Sequence, residues 1–139
     1  MEYIKQDDTY IVRLERGEEI LRSLRSLCSK EDIKAGMING IGASDHAVIG
    51  LFDVNEKVYH QHEFNEPMEI TSITGNISAM DDEPYLHIHV NLGREDMSVI
   101  GGHLNECVIS ATCELFIYSI NRKIGRTKDP ETGLNLYEF

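Results

Sequence analysis

The chain has 139 residues and 15.8 kDa, enough for a single domain spanning 1–139 with its own core. Its 13 Lys and Arg against 24 Asp and Glu give a formal charge of −11 and a pI near 4.9. That balance argues against a protein held mainly by nucleic-acid phosphates and against adsorption to an anionic membrane. The longest apolar stretches are strand-sized, so no membrane span is expected, and the first residues lack the basic-then-apolar order of a secretory signal. Three cysteines at no metal-like spacing suit reduced thiols, and the expected compartment is the cytoplasm.

In chain order, Thr9 to Leu14 reads as a short strand. A helix follows, with Ile20, Leu21, Leu24, Leu27 and Cys28 forming one apolar stripe. Glu18 and Glu19 fall in its expected first turn, Arg25 and Lys30 lie nearer its end, and Gly36 marks a stop. Beyond Gly36 the pattern is β. Met37–Ile41, Ala47–Val54 and Lys57–Phe64 are short strands, the last two joined by a turn at Asn55-Glu56. Met68–Ala79 is a longer run that ends in a polar loop, Met80 to Pro84. Tyr85–Leu92, a turn at Gly93–Asp96, Val99–Leu104 and Val108–Ile120 complete the set, and Asp129–Gly133 forms a turn leading into Leu134–Phe139. One helix followed by hairpin-length strands predicts an α+β domain with a mainly antiparallel sheet.

The six histidines carry the most chemical information. In Leu86-His87-Ile88-His89-Val90 the alternation is strict, so Leu86, Ile88 and Val90 take the core face. His87 and His89 then project together from the other face, about 7 Å apart at the backbone. His103 follows Gly101-Gly102 in a run that should pair back across the Gly93–Asp96 turn. Three neutral imidazoles with an open position are the usual arrangement of a catalytic zinc. The competing reading is two histidines on a solvated strand face, with His103 elsewhere.

A second pair, His60 and His62, has no apolar face to anchor it and reads as an exposed edge strand; His46 reads as a turn residue. Gly40-Ile41-Gly42 precedes a strand rather than a helix, which argues against a phosphate cradle. Ser44-Asp45-His46 are neighbours in sequence, which is not how a nucleophile triad is assembled. Cys28, Cys107 and Cys113 read as buried thiols. Glu69 interrupts an apolar run and either faces solvent or enters a pocket as a general acid or base. Arg122, Lys123, Arg126 and Lys128 form a small basic cluster, read as a solvated patch.

The chain resembles the PPC (plants and prokaryotes conserved) domain family over nearly its whole length. The resemblance rests on Gly36–Gly42, on Met68-Glu69-Ile70-Thr71-Ser72-Ile73-Thr74-Gly75, on Leu86–Leu92 with Val99–Leu104, and on the closing Thr132–Leu136. It implies a barrel-like antiparallel sheet with the N-terminal helix packed on it, and assembly as a homotrimer. It also implies that His87, His89 and His103 are the ligands of a zinc-type ion, as expected of prokaryotic members with this histidine pattern; the fold is also similar to that of acetolactate decarboxylase, which holds zinc with a comparable histidine set. From this follow a metal-dependent lyase reaction on a small oxo or hydroxy acid, with Glu69 as proton-transfer partner, or a non-catalytic trimeric scaffold. The family also implies DNA binding, since plant members carry an AT-hook. Here Arg16-Gly17 is followed by Glu18, neither Gly93-Arg94 nor Gly125-Arg126 is followed by Pro, and a trimer would carry 3 × −11 = −33.

Overall fold

The computed structural model describes residues 1–139. Its elements are β1 (Glu2–Gln6), β2 (Thr9–Glu15), α1 (Ile20–Lys30), β3 (Gly36–Asp53), β4 (Val58–Phe64), β5 (Met68–Met80), β6 (Glu83–Gly93), β7 (Val99–Ser119), β8 (Gly125–Lys128) and β9 (Asn135–Glu138). All nine strands belong to one sheet, in which β3, β5, β6 and β7 pair in a closed circuit. β1 and β2 extend it from β7, and β4 pairs only with β3. The pairing is antiparallel throughout, except where β8 meets β5 at Ala79–Gly125. The expected helix-on-sheet α+β arrangement is therefore present, with a mixed rather than purely antiparallel sheet.

Several boundaries differ from the sequence reading. β3 and β7 are each one long strand where two were expected on either side of a break. Register shifts between Gly42 and Ser44, Ser44 and His46, and Val48 and Ile49 bend the pair without ending it. The fully buried Ser44 sits at this irregularity: its hydroxyl donates to the Val108 carbonyl at 2.8 Å and accepts from the His46 amide at 3.2 Å. His46 accordingly lies in a strand and not in a turn. The expected Met80–Pro84 loop is a two-residue turn, Asp81-Asp82, both at positive φ as a tight hairpin requires. Pro84 is accommodated in β6 because β7 pairs with that strand only from His89 onward. The C-terminal segment forms a further hairpin, β8–β9, and β1 is a strand the sequence reading missed.

α1 buries Ile20, Leu21, Leu24, Leu27 and Cys28 against the inner face of the sheet, in a core of 26 buried residues. Glu19 is the N-cap and not a first-turn residue; its carboxylate accepts from the amides of Leu21 at 2.9 Å and Arg22 at 2.7 Å. Glu18 instead holds the N-terminal ammonium at 2.6 Å. The helix ends at Lys30, well before Gly36, with Asp32 at positive φ supplying the reversal. Gly36 opens β3.

Gly40 and Gly42 are strand residues pressed against β7, which rules out a phosphate loop there. A Cβ on Gly42 would stand 2.6 Å from the Thr112 carbonyl and 2.8 Å from the Cys113 Cα, both rigid backbone. Gly42→Ala is expected to destabilise the fold by about 1–3 kcal/mol, the usual cost of overpacking. A urea midpoint unchanged from the native chain would contradict this account of the β3–β7 approach.

Candidate metal centre

Hydrophobic alternation fixes the direction of the histidines. Leu86, Ile88 and Val90 are buried, so His87 and His89 point out of the same strand on its other face. Across the sheet, Asn76 pairs with His87, Thr74 with His89, and His89 with His103. The three imidazoles thus meet on two adjacent rungs of the ladder.

Gly101 and Gly102 make that meeting sterically allowed. A Cβ on Gly101 would lie 2.8 Å from the Val90 carbonyl, and one on Gly102 would lie 2.7 Å from the Gly50 carbonyl. With hydrogen at both positions, β7 passes between β6 and β3 and delivers His103 opposite His89 and Gly50.

One nitrogen from each ring lies within 4.8 Å of one from each of the others. The Nε2 atoms of His87 and His89 are 3.2 Å apart. Ring centroids are separated by 5.1, 5.3 and 5.6 Å. A tetrahedral ion with nitrogen ligands at about 2.0–2.1 Å holds neighbouring ligand atoms roughly 3.3 Å apart, so the histidines fit such an ion with small side-chain rotations. An all-imidazole set suits zinc and neighbouring transition metals rather than calcium or magnesium, which take oxygen ligands.

The electrostatics favour neutral, metal-competent rings at His87 and His103. Burial, then the neighbouring His103 and His89, and then the Arg126 cation hold the His87 pKa down to about 4. Burial and His89 lower that of His103 as well. His103 packs edge-on against Tyr59, with ring centroids 6.3 Å apart, and the Tyr59 hydroxyl accepts from Asn105 Nδ2 at 2.6 Å. A groove of about 490 Å³ reaches His103 between α1 and β6, lined also by Arg25, Tyr85 and Asn105.

The other sequence candidates lie elsewhere. Glu69 is exposed on β5 opposite Gly93, four residues along β6 from His89, or about 14 Å at the backbone. His60 and His62 stand on β4, exposed as expected. His46 contacts Asn65 Oδ1 at 2.6 Å and lies 3.5 Å from Glu106 and 3.8 Å from Glu63. Cys28, Cys107 and Cys113 are buried free thiols, and burial pushes their pKa values up to about 12, 11 and 12. The expected basic patch is divided: Lys123 pairs with Asp82 at 2.6 Å, while Arg126 lies over the outer face of the sheet and bonds Ser78 and Asn76. Tyr59 and Asn76 carry no signal in the sequence, and Arg126 reads there only as part of a basic cluster, because no spacing rule links residues so far apart to the histidines.

A helix-on-sheet fold with three outward, clustered histidines defines a β-rich domain carrying a candidate metal centre. The chain belongs to the Plants and Prokaryotes Conserved (PCC) domain family, whose profile matches residues 1–121. A Bacteroides thetaiotaomicron protein provisionally described as DNA-binding is 38% identical, with a TM-score of 0.97 over 99% of this chain and 96% of that one. A metal-containing protein from Archaeoglobus fulgidus is 36% identical, with a TM-score of 0.89 over 99% and 96% of the two chains. A plant- and prokaryote-conserved protein from Pyrococcus horikoshii is 36% identical, with a TM-score of 0.86 over 99% and 94%. The resemblance to acetolactate decarboxylase holds for the fold alone: a Staphylococcus aureus protein similar to that enzyme is 10% identical, with a TM-score of 0.55 over 85% of this chain and 54% of that one. No curated protein matches the chain. No helix is long and apolar enough to cross a membrane.

The lowered His87 pKa has a measurable consequence in the metal-free chain. The unfolded chain protonates this histidine near its ordinary 6.5, the folded chain only near 4. Between those values the unfolded state binds more protons, so stability falls as the pH drops from 6.5 towards 4. With chelator present, the urea midpoint should fall more between about pH 7 and pH 4.5 for the native chain than for His87→Asn, whose amide does not titrate. Equal losses in the two proteins would contradict a depressed His87.

Proposed function

We propose that the protein binds one zinc-type divalent transition metal per chain through His87, His89 and His103. The observation that carries this reading is the convergence of three ring nitrogens within 4.8 Å. Burial that favours neutral rings supports it, and so does the metal-containing Archaeoglobus relative. Three neutral imidazoles leave the charge of the ion undiminished and one or more positions open. An ion so held supplies Lewis acidity towards a carbonyl or a bound water. The chain orients the ligands: the alternation of β6 aims His87 and His89, and the glycine pair sets the height of His103. We assign a lyase-like reaction on a small oxo or hydroxy acid as the activity to screen first.

Assembly as a homotrimer belongs to the same proposal. Ile4, Ile11, Phe116, Tyr118, Met37 and Ile41 are exposed on one outer face, linked by the pairings Ile4–Ile11, Ile11–Phe116 and Met37–Tyr118. A contiguous apolar face of this kind on an otherwise strongly acidic chain supports a surface covered by further copies. Light scattering is expected to give three times 15.8 kDa, and a monomer at all concentrations would contradict it.

Metal analysis of the purified, untagged protein should find about one transition-metal ion per chain, lost in a His87→Ala, His89→Ala double variant. Absence of metal after reconstitution with zinc would overturn the reading. A second reading, DNA binding, is favoured only by the descriptions of relatives such as the Bacteroides protein, and the charge of −11 opposes it. Gel shifts at about 50 mM and 200 mM salt are expected to show no complex with AT-rich or mixed duplexes. A retained complex would restore that reading.

A further inference from the structure

Arg126 of β8 is fixed on the outer face of the sheet beside the histidines. Its guanidinium lies between the rings of Tyr85 and Tyr137, 4.6 and 4.4 Å from their centroids. Nε donates to Ser78 Oγ at 2.7 Å, Nη2 donates to Asn76 Oδ1 at 2.8 Å, and Nη1 donates to the Asn135 carbonyl. Ser78 and Asn76 are the cross-strand partners of Tyr85 and His87. The cation therefore spans the His87 rung and the next one outward, with His89 and His103 on the rung beyond. Successive rungs on one face are about 7 Å apart.

Two features separate this residue from a merely structural arginine. Every acceptor it uses is neutral, whereas Arg94 and Lys123 pair with Glu66 and Asp82. A partly buried charge ordinarily acquires an opposite partner, and 24 carboxylates are present in the chain to provide one. Moreover, only three of its five N–H groups are engaged, leaving one donor on each Nη. The stacking rings and hydrogen bonds fix the orientation of the guanidinium without neutralising it.

We propose that Arg126 is the anion-recognising residue of the histidine site, and that the ligand is a small dicarboxylate-type acid with one oxygen group on the ion and the other against Arg126. The inference rests on the metal reading given above. Neutral imidazoles contribute no negative charge to the ion, so ion and guanidinium together present an uncompensated positive pair on an otherwise acidic molecule. A dianion answers both charges and a monocarboxylate only one. The β8–β9 hairpin supplies Arg126, Asn135 and Tyr137, so the C-terminal segment completes the anion-binding side of the site.

The test uses the full-length protein loaded with Co²⁺, whose visible spectrum reports both metal uptake and anion ligation. Malonate should perturb the spectrum of the native protein with at least tenfold higher affinity than acetate, and Arg126→Gln should weaken malonate about tenfold or more while still binding one Co²⁺. Should the variant not fold, a native protein that binds malonate no better than acetate still overturns the role of Arg126. Equal affinity for the two acids, or unchanged malonate affinity in Arg126→Gln, overturns the role of Arg126 while leaving the metal reading in place. Failure of the native protein to take up Co²⁺ overturns the metal reading and this inference with it.

Discussion

The close approach of β7 to β6 and β3 at Gly101-Gly102 is the constraint on which the site depends. Each glycine faces a carbonyl of a neighbouring strand at a distance that no side chain tolerates, Val90 on one side and Gly50 on the other. Only because both backbones come so near does His103 stand level with His89. The hydrophobic core supplies the force for this arrangement: Leu86, Ile88, Val90 and Leu104 are buried on the inner face, so the imidazoles have no alternative to the outer one. Packing on one face thus sets chemistry on the other.

Charge is distributed to the same end. The excess of carboxylates repels polyanions, while the site itself is assembled from imidazoles and one guanidinium without an acidic partner. The cost of taking Arg126 partly out of water is met by two aromatic faces and three neutral acceptors. The buried thiols, by contrast, are held protonated by their apolar surroundings and suit packing rather than ligation.

Much of this was legible in the sequence where periodicity is local. The helix stripe from Ile20 to Cys28 and the alternation around His87 and His89 each encode one buried face, and both faces are where the pattern puts them. The meeting of His103 with them could be expected from the short Gly93–Asp96 turn, which makes β6 and β7 a hairpin. What could not be read was non-local. The bend of β3 past Ser44 looked like a chain break, because a bulge interrupts alternation as a turn does. Arg126 looked like one member of a basic cluster, since nothing in residues 122–128 reveals that Ser78, Asn76 and Tyr85 stand beside it on the same face of the sheet.

X-ray absorption at the zinc edge, on protein purified without tags and reconstituted with one equivalent of zinc, tests the central claim most directly. A first shell of nitrogen or oxygen neighbours at about 2.0–2.1 Å, with outer-shell multiple scattering that fits three imidazoles, is the predicted result. A sulfur shell near 2.3 Å, or a shell of oxygen alone, would place the ion on other residues and contradict the account.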